Sequence, residues 1–319
     1  MRLTTLPNSK SSLLLITACA IFVWGACANA SQAVIQPAAT PSTGAIIPTH
    51  IPTPSSTATV KPSPIPTLTP IPSPTATPFL SPTPLSCWSQ GGHIETGQIT
   101  TDLLRQPLDF RVYLPPCYRE QPEQRYPVLY LIHGQSFTDD QWDRLGADET
   151  ADFLIANGEL LPFLIVMPRD RVWTLPSEDQ FGEALVKALL PWVDGHYRTL
   201  PDRAYRAIGG LSRGAAWAVH LGVRHWELFS IIGAHSLPIF PGDNTRIGPW
   251  LDAIPVEARP RFYLDVGELD RWREIAEWFE QLLTDKDISH EWHLYPGYHE
   301  EAYWQAHLEE YIRWYAQTW

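Results

Sequence analysis

Carboxylates are missing from the first 86 of this chain's 319 residues, and Arg2, Lys10 and Lys61 are the only basic side chains there. All 35 acidic and 20 of the 23 basic residues therefore fall in 87–319, whose formal charge is 20 − 35 = −15. A domain so short of cations has no electrostatic reason to seek a polyanion, which excludes nucleic acid as a partner. No apolar run is long. Residues 13–24 make one of 12, well below the roughly 20 that span a bilayer as a helix. Cysteine is sparse too, with only Cys87 and Cys117 beyond residue 30. That pair predicts one disulfide, closing a loop of about thirty residues and worth roughly 3–4 kcal/mol on loop-entropy grounds.

Proline is plentiful instead, and it is concentrated. Residues 31–86 hold 14 of the 31 prolines, with 11 threonines and 8 serines. Such a stretch has too little apolar mass and too few backbone donors to build a core. It predicts an extended, disordered spacer, reaching from about 40 Å as a flexible coil to about 170 Å when fully drawn out. Ahead of it, Arg2 and Lys10 with the apolar run form an export signal. Two processing sites compete. Ala28-Asn29-Ala30 predicts cleavage before Ser31, whereas Gly25-Ala26-Cys27 predicts a lipidated Cys27 and hence a membrane tether. The expected organisation is a leader over 1–30 (to 26 for a lipoprotein), a linker over 31–86 and one domain over 87–319. The location expected is extracytoplasmic, secreted or anchored in a bacterial envelope, where a Cys87–Cys117 bond would pin the domain's start beside a strand at 108–114.

Within 87–319 the hydrophobic period switches repeatedly. Residues 108–114 alternate apolar and polar, as a half-exposed strand does, while 128–132 and 163–167 are continuous apolar runs of strands buried on both faces. Shorter strands are predicted at 204–208, 229–232, 262–266 and 291–295. Helical patterns occupy 148–157, 180–193, 213–224, 272–283 and 299–316. Ile275, Trp278, Phe279 and Leu282 have the spacing of one buried helix face, and Trp304, Leu308, Tyr311 and Tyr315 that of another. Strand–helix alternation without internal repeats predicts an α/β domain with a mostly parallel central sheet and helices on both faces.

The strongest chemical signal is Gly210-Leu211-Ser212-Arg213-Gly214, which follows one predicted strand and opens a predicted helix. A sharp strand-to-helix turn would leave the Ser212 hydroxyl clear at the carboxyl edge of the sheet, over a helix N-terminus that favours developing negative charge. Serine is a weak nucleophile and needs a base and an orienting acid, found downstream on loops after late strands. His299 in Gly297-Tyr298-His299 is the expected base, and Asp270 in Gly267-Glu268-Leu269-Asp270 the expected acid; Glu268 and Asp265 are its rivals. The Arg213 N–H and an N–H after Ile132-His133-Gly134, from Gln135, are the expected oxyanion donors. His133 is read as shaping its loop, His235 as lining the pocket, and His196, His220, His225 and His307 as surface or capping residues. His290 and His293 point to opposite faces of a strand, which argues against a metal site shared with His299.

The run Tyr126–Gly134, the turn at Ser212, Gly267-x-x-Asp270 and the Gly297-Tyr298-His299 loop together resemble the putative esterase family of α/β-hydrolases. Its relatives include feruloyl esterases, S-formylglutathione hydrolases and enterobactin esterases. The likeness covers roughly residues 105–319. It implies an α/β-hydrolase fold and a serine esterase acting through an acyl-enzyme without a cofactor. Arg213 departs from the Met or Gln common after the nucleophile, and its long cationic side chain is expected to narrow or charge the pocket. The 34 aromatic residues of the domain suit stacking on sugars and phenolics, so feruloyl- or acetyl-carbohydrate esters are the expected substrates. An acyltransferase on the same triad and a non-catalytic envelope-binding protein are the alternatives.

Overall fold

The computed structural model describes residues 86–319 apart from Val172 and Asp179. The expected leader, the processing sites at Cys27 and Ser31, and the linker as far as residue 85 lie outside the described residues.

Eight strands form one sheet: β1 (His93–Ile99), β2 (Leu108–Leu114), β3 (Val128–Ile132), β4 (Leu164–Pro168), β5 (Arg206–Leu211), β6 (Ile231–His235), β7 (Arg261–Gly267) and β8 (His290–Tyr295). Their spatial order is β1-β2-β4-β3-β5-β6-β7-β8. β1 and β2 are antiparallel to their neighbours, and from β4 through to β8 every pairing is parallel. The helices are α1 (Gln141–Leu145), α2 (Ala147–Ala156), α3 (Phe181–Ala184), α4 (Leu190–His196), α5 (Arg213–Arg224), α6 (Ile247–Asp252), α7 (Arg273–Asp285) and α8 (Glu301–Ala316), with a π turn at Leu185–Leu189 joining α3 to α4.

The continuous apolar runs are buried on both faces for a visible reason. Along β3, Val128, Tyr130 and Ile132 pack into a core built with α3 to α7. Leu129 and Leu131 point the other way, into a second core closed by α1, α2 and α8. A period-2 strand between two apolar layers can spare no polar position.

Three expectations shift. β1 was not anticipated, because it is an edge strand whose residues are mostly half-exposed; seven residue pairs with β2 define it. β5 begins at Arg206 because Arg203–Tyr205 forms a single helical turn, whose first residues are capped by the Asp202 carboxylate accepting from Ala204 N at 2.8 Å. The buried stripe of α7 is Ala276, Phe279 and Leu283, while Ile275 and Trp278 are exposed. The α8 stripe of Trp304, Leu308, Tyr311 and Tyr315 is buried as expected.

Cys87 is bonded to Cys117, with their Cα atoms 5.0 Å apart. Cys117 follows β2, whose N-terminal half pairs with the carboxyl end of β4 through Phe110 and Pro168. The bond therefore fastens the start of the domain at the end of the sheet opposite the carboxyl ends of the parallel strands. No helix among the described residues is long and apolar enough to cross a membrane.

Candidate active site

Ser212 sits between β5 and α5 at φ 52° and ψ −124°, a conformation that costs a non-glycine residue about 1–3 kcal/mol. The flanking glycines are required by contact. A Cβ on Gly214 would lie 2.0 Å from the Ile132 carbonyl oxygen, and one on Gly210 would lie 2.4 Å from the Gly214 carbonyl carbon. With hydrogen there, β5, β3 and α5 close together and lift the Ser212 hydroxyl to the carboxyl edge of the sheet.

Three residues distant in sequence meet at that edge. His299 Nδ1 lies 2.9 Å and 3.1 Å from the two Asp270 carboxylate oxygens, and its Nε2 lies 2.9 Å from Ser212 Oγ. A carboxylate can only accept, so the proton belongs on Nδ1 and Nε2 is left to accept from the serine. Asp270 also accepts from Trp272 N at 2.8 Å. Burial alone would raise the Asp270 carboxyl, but the hydrogen bonds from His299 and Trp272, helped by the nearby Ser236 hydroxyl, hold it below the usual carboxylate range. Glu268, one of its rivals, is exposed, and its N–H bonds to Tyr295 O.

Asp265 is buried in β7, away from Ser212 in the hydrogen-bond order. Its Oδ1 lies 2.6 Å from His235 Nδ1, and its Oδ2 accepts from Tyr303 Oη at 2.7 Å and Tyr311 Oη at 2.6 Å. His235 is accordingly no pocket residue. It is fully buried, stacked on Tyr311 at 3.8 Å, with Nε2 3.0 Å from Tyr315 Oη. His220 is not a surface residue either: it is buried, with Nδ1 2.6 Å from Asp243 Oδ2.

Gln135 and Arg213 line the same cleft as Ser212 and His299, a hollow of about 920 Å³. Phe137, Trp173, Phe240, Trp272 and Trp304 supply aromatic walls. The Arg213 guanidinium does not stand free in it. Nε donates to buried Asp170 at 2.7 Å and Nη2 to the Thr174 carbonyl at 2.7 Å, with the Phe240 ring 5.2 Å away. Trp217 Nε1 donates to the same Asp170 oxygen at 2.9 Å. Arg213 thus brings little net charge to the cleft and ties the segment carrying Trp173 to α5. His133 Nδ1 is 2.7 Å from Gly134 O, while its Nε2 accepts from Asp170 N at 2.9 Å. Burial pushes this imidazole below the ordinary histidine value, so it holds its loop as a neutral ring.

Ser236, Trp304, Asp170 and Gln141 all contact this machinery, and none carried a motif. The signal available was position: Ser236 directly follows a strand whose neighbours end at the same edge. Among the described residues no group of His, Cys, Asp or Glu is arranged to hold a metal ion.

The family described as Putative esterase matches residues 101–315. The endo-1,4-beta-xylanase/feruloyl esterase of Xylanibacter ruminicola is 33% identical over 137 residues, 38% of this chain and 18% of that protein. An esterase of Mycobacterium tuberculosis is 30% identical over 139 residues, 40% of this chain and 28% of that protein. The matches thus span less than a third of these curated relatives. A ferulic acid esterase structure superposes with a TM-score of 0.65 at 23% identity, covering 72% of this chain and 99% of that one. A feruloyl esterase module from Clostridium thermocellum, complexed with sinapinate, gives 0.61 at 18% identity, covering 74% and 93%. At those identities the likeness establishes the α/β-hydrolase fold.

Proposed function

The chain belongs to the Putative esterase family, and from that premise we propose an exported serine esterase that cleaves carboxylic esters through an acyl-enzyme. The observation that carries the reading is the hydrogen-bonded row Ser212–His299–Asp270 opening on an aromatic cleft.

Ser212 Oγ attacks the ester carbonyl while its proton passes to His299 Nε2. Asp270 keeps the imidazole in the tautomer that accepts there and balances the imidazolium that forms. The carbonyl oxygen gains the negative charge and is met by the N–H groups of Gln135 and Arg213. As the intermediate collapses, the ester C–O bond breaks and His299 returns the proton to the departing alcohol oxygen. Water then attacks the acyl-Ser212 ester by the same proton route, releasing the acid and regenerating the serine. No cofactor enters these steps.

The substrate proposed is an aromatic acyl ester such as a feruloyl group on a carbohydrate. Flat rings stack on the Trp173, Phe240 and Trp272 side chains, and relatives named for feruloyl esters support the choice. Export is supported by the leader pattern and by a disulfide, which persists in oxidising compartments. In this reading the linker holds the domain away from its point of release, or from a membrane tether at Cys27.

Steady-state hydrolysis of methyl ferulate by the full chain, followed by mass analysis of the trapped acyl-enzyme, tests the mechanism. Acyl mass on the Ser212 peptide is expected, with at least about a 10⁴-fold loss of kcat in Ser212→Ala. An inactive wild type, or a Ser212→Ala variant at full activity, overturns it. Preferential transfer to an added alcohol over water would reassign the chain as an acyltransferase.

A further inference from the structure

The loop expected to supply one oxyanion donor is held by a side chain that the catalytic row does not explain. Gln141, the first residue of α1, is fully buried. Its Oε1 accepts from Gly134 N at 2.8 Å, and its Nε2 donates to Glu301 Oε1 at 3.1 Å. The orientation of this amide follows from its partners, since a backbone N–H can only donate and a carboxylate can only accept. Gly134 immediately precedes Gln135, and Glu301 lies two residues beyond His299, in the first turn of α8. One carboxamide therefore bridges the oxyanion loop and the base loop.

The other side of Gly134 is fixed as well. Its carbonyl lies 2.7 Å from His133 Nδ1 and 3.2 Å from Phe137 N. In a trans peptide the following N–H points opposite to that carbonyl, so holding the oxygen aims the Gln135 N–H. With the Gly134 N–H pinned by Gln141, both peptide planes that meet at the Gly134 Cα are set. A glycine linking two unpinned planes would rotate freely.

We propose that Gln141 is a positioning residue, holding the oxyanion-binding peptide in register with the His299 loop. The inference rests on the esterase reading above and adds a residue that touches no substrate. Its effect is confined to the transition state, because the aim of the Gln135 N–H matters most when the carbonyl oxygen becomes an anion.

The test compares methyl ferulate with its thionoester analogue, whose larger, softer sulfur profits less from an oxyanion donor. Gln141→Met keeps the side-chain length without its polar atoms. It is expected to lower kcat on methyl ferulate about 10- to 100-fold, the range expected for a small misplacement of a reacting group, with KM unchanged within about 2-fold. The ester-to-thionoester rate ratio should shrink by a similar factor. Gln141→Glu places a carboxylate against Glu301 and should also be slow. The double variant Gln141→Glu/Glu301→Gln exchanges amide and acid, restores the bridge, and should recover at least about 10-fold of kcat over the single variant. Circular dichroism corrects each rate for the folded fraction. The proposal is overturned if Gln141→Met keeps wild-type kcat and ratio, if its loss tracks the folded fraction alone, or if the double variant is no faster than Gln141→Glu. A wild type inert towards methyl ferulate would instead sink the esterase reading, so the two failures are distinguishable.

Discussion

Two Asp–His–hydroxyl rows lie within this one domain, and only one of them opens to the cleft. Asp270, His299 and Ser212 form the first; Asp265, His235 and Tyr315 form the second, with contacts of 2.6 Å and 3.0 Å. Their carboxylates are five residues apart. What separates them is where each strand stops. His235 and Asp265 are still inside β6 and β7, paired across the sheet, so α8 covers them with Tyr303, Tyr311 and Tyr315. Asp270 and His299 lie past the ends of β7 and β8, on loops free to face the cleft. A hydrogen-bonded acid, base and hydroxyl become catalytic machinery only when the hydroxyl is nucleophilic and solvent can be replaced by substrate. Burial also keeps the three phenols protonated, lifting each well above the ordinary tyrosine value, with Asp265 adding to it.

Neutralising each carboxylate in turn separates the rows most sharply. Asp270→Asn should lower kcat about 10³- to 10⁴-fold, because the amide no longer selects the tautomer that leaves Nε2 open. Hydrolysis of methyl ferulate at neutral pH measures it. The sign of the pH dependence follows from the lowered carboxyl. Its stabilising contribution is fully present above the unfolded value of about 3.9 and is lost as pH falls through the lower native value. The stability gap between wild type and Asp270→Asn should therefore be flat above about pH 5 and close only in stronger acid.

Asp265→Asn should do the reverse. It leaves the reacting groups in place but sets an amide N–H₂ or a lost acceptor against two tyrosine hydroxyls and His235. Removing one partner of a buried pair costs about 3–5 kcal/mol. For a domain of this size the melting temperature should fall by roughly 6–20 °C. Folded enzyme assayed well below that temperature should keep kcat within about 10-fold. If Asp265→Asn proved as inactive as Asp270→Asn while remaining folded, the division between the two rows would fail.

The sequence made one row legible and concealed the other, for physical reasons. Ser212 announces itself because its turn needs glycine at two contact points, and that need is local. Asp270 and His299 could be named because chain order and loop position constrain them. The second row leaves no such trace, since its partners come from β6, β7 and α8 and are joined only by folding. His235 therefore read as a pocket residue. Gln141 and Ser236 are invisible for the same reason, each meeting partners brought together by tertiary packing. The sheet was legible wherever strands are buried on both faces. β1, half-polar at the edge, was not.

A third carboxylate, Asp148 in α2, sharpens the lesson by having fewer donors, one of its oxygens meeting none. Asp270 is buried with donors from His299 and Trp272 and is held low; Asp148 is partly buried, has an oxygen without a partner, and is pushed up to about 7. Burial is the leading cause, with the neighbouring Glu149 and then Asp143 adding to it. A raised acid has the opposite linkage from Asp270. Below about pH 4 it is neutral in both folded and unfolded chains and has no effect, whereas between about pH 4 and 7 the unfolded chain ionises first and stability is lost. Asp148→Asn removes that penalty and keeps the shape. The site is only half-buried and screened by solvent, so a gain of about 1 kcal/mol is expected at pH 8, a rise of roughly 2–4 °C in melting temperature. Thermal melts of both proteins at pH 8 and again near pH 4 should show that difference vanish in acid. An equal gain at both pH values would mean that charge is not what the substitution relieves, and that donors rather than depth do not separate Asp148 from Asp270.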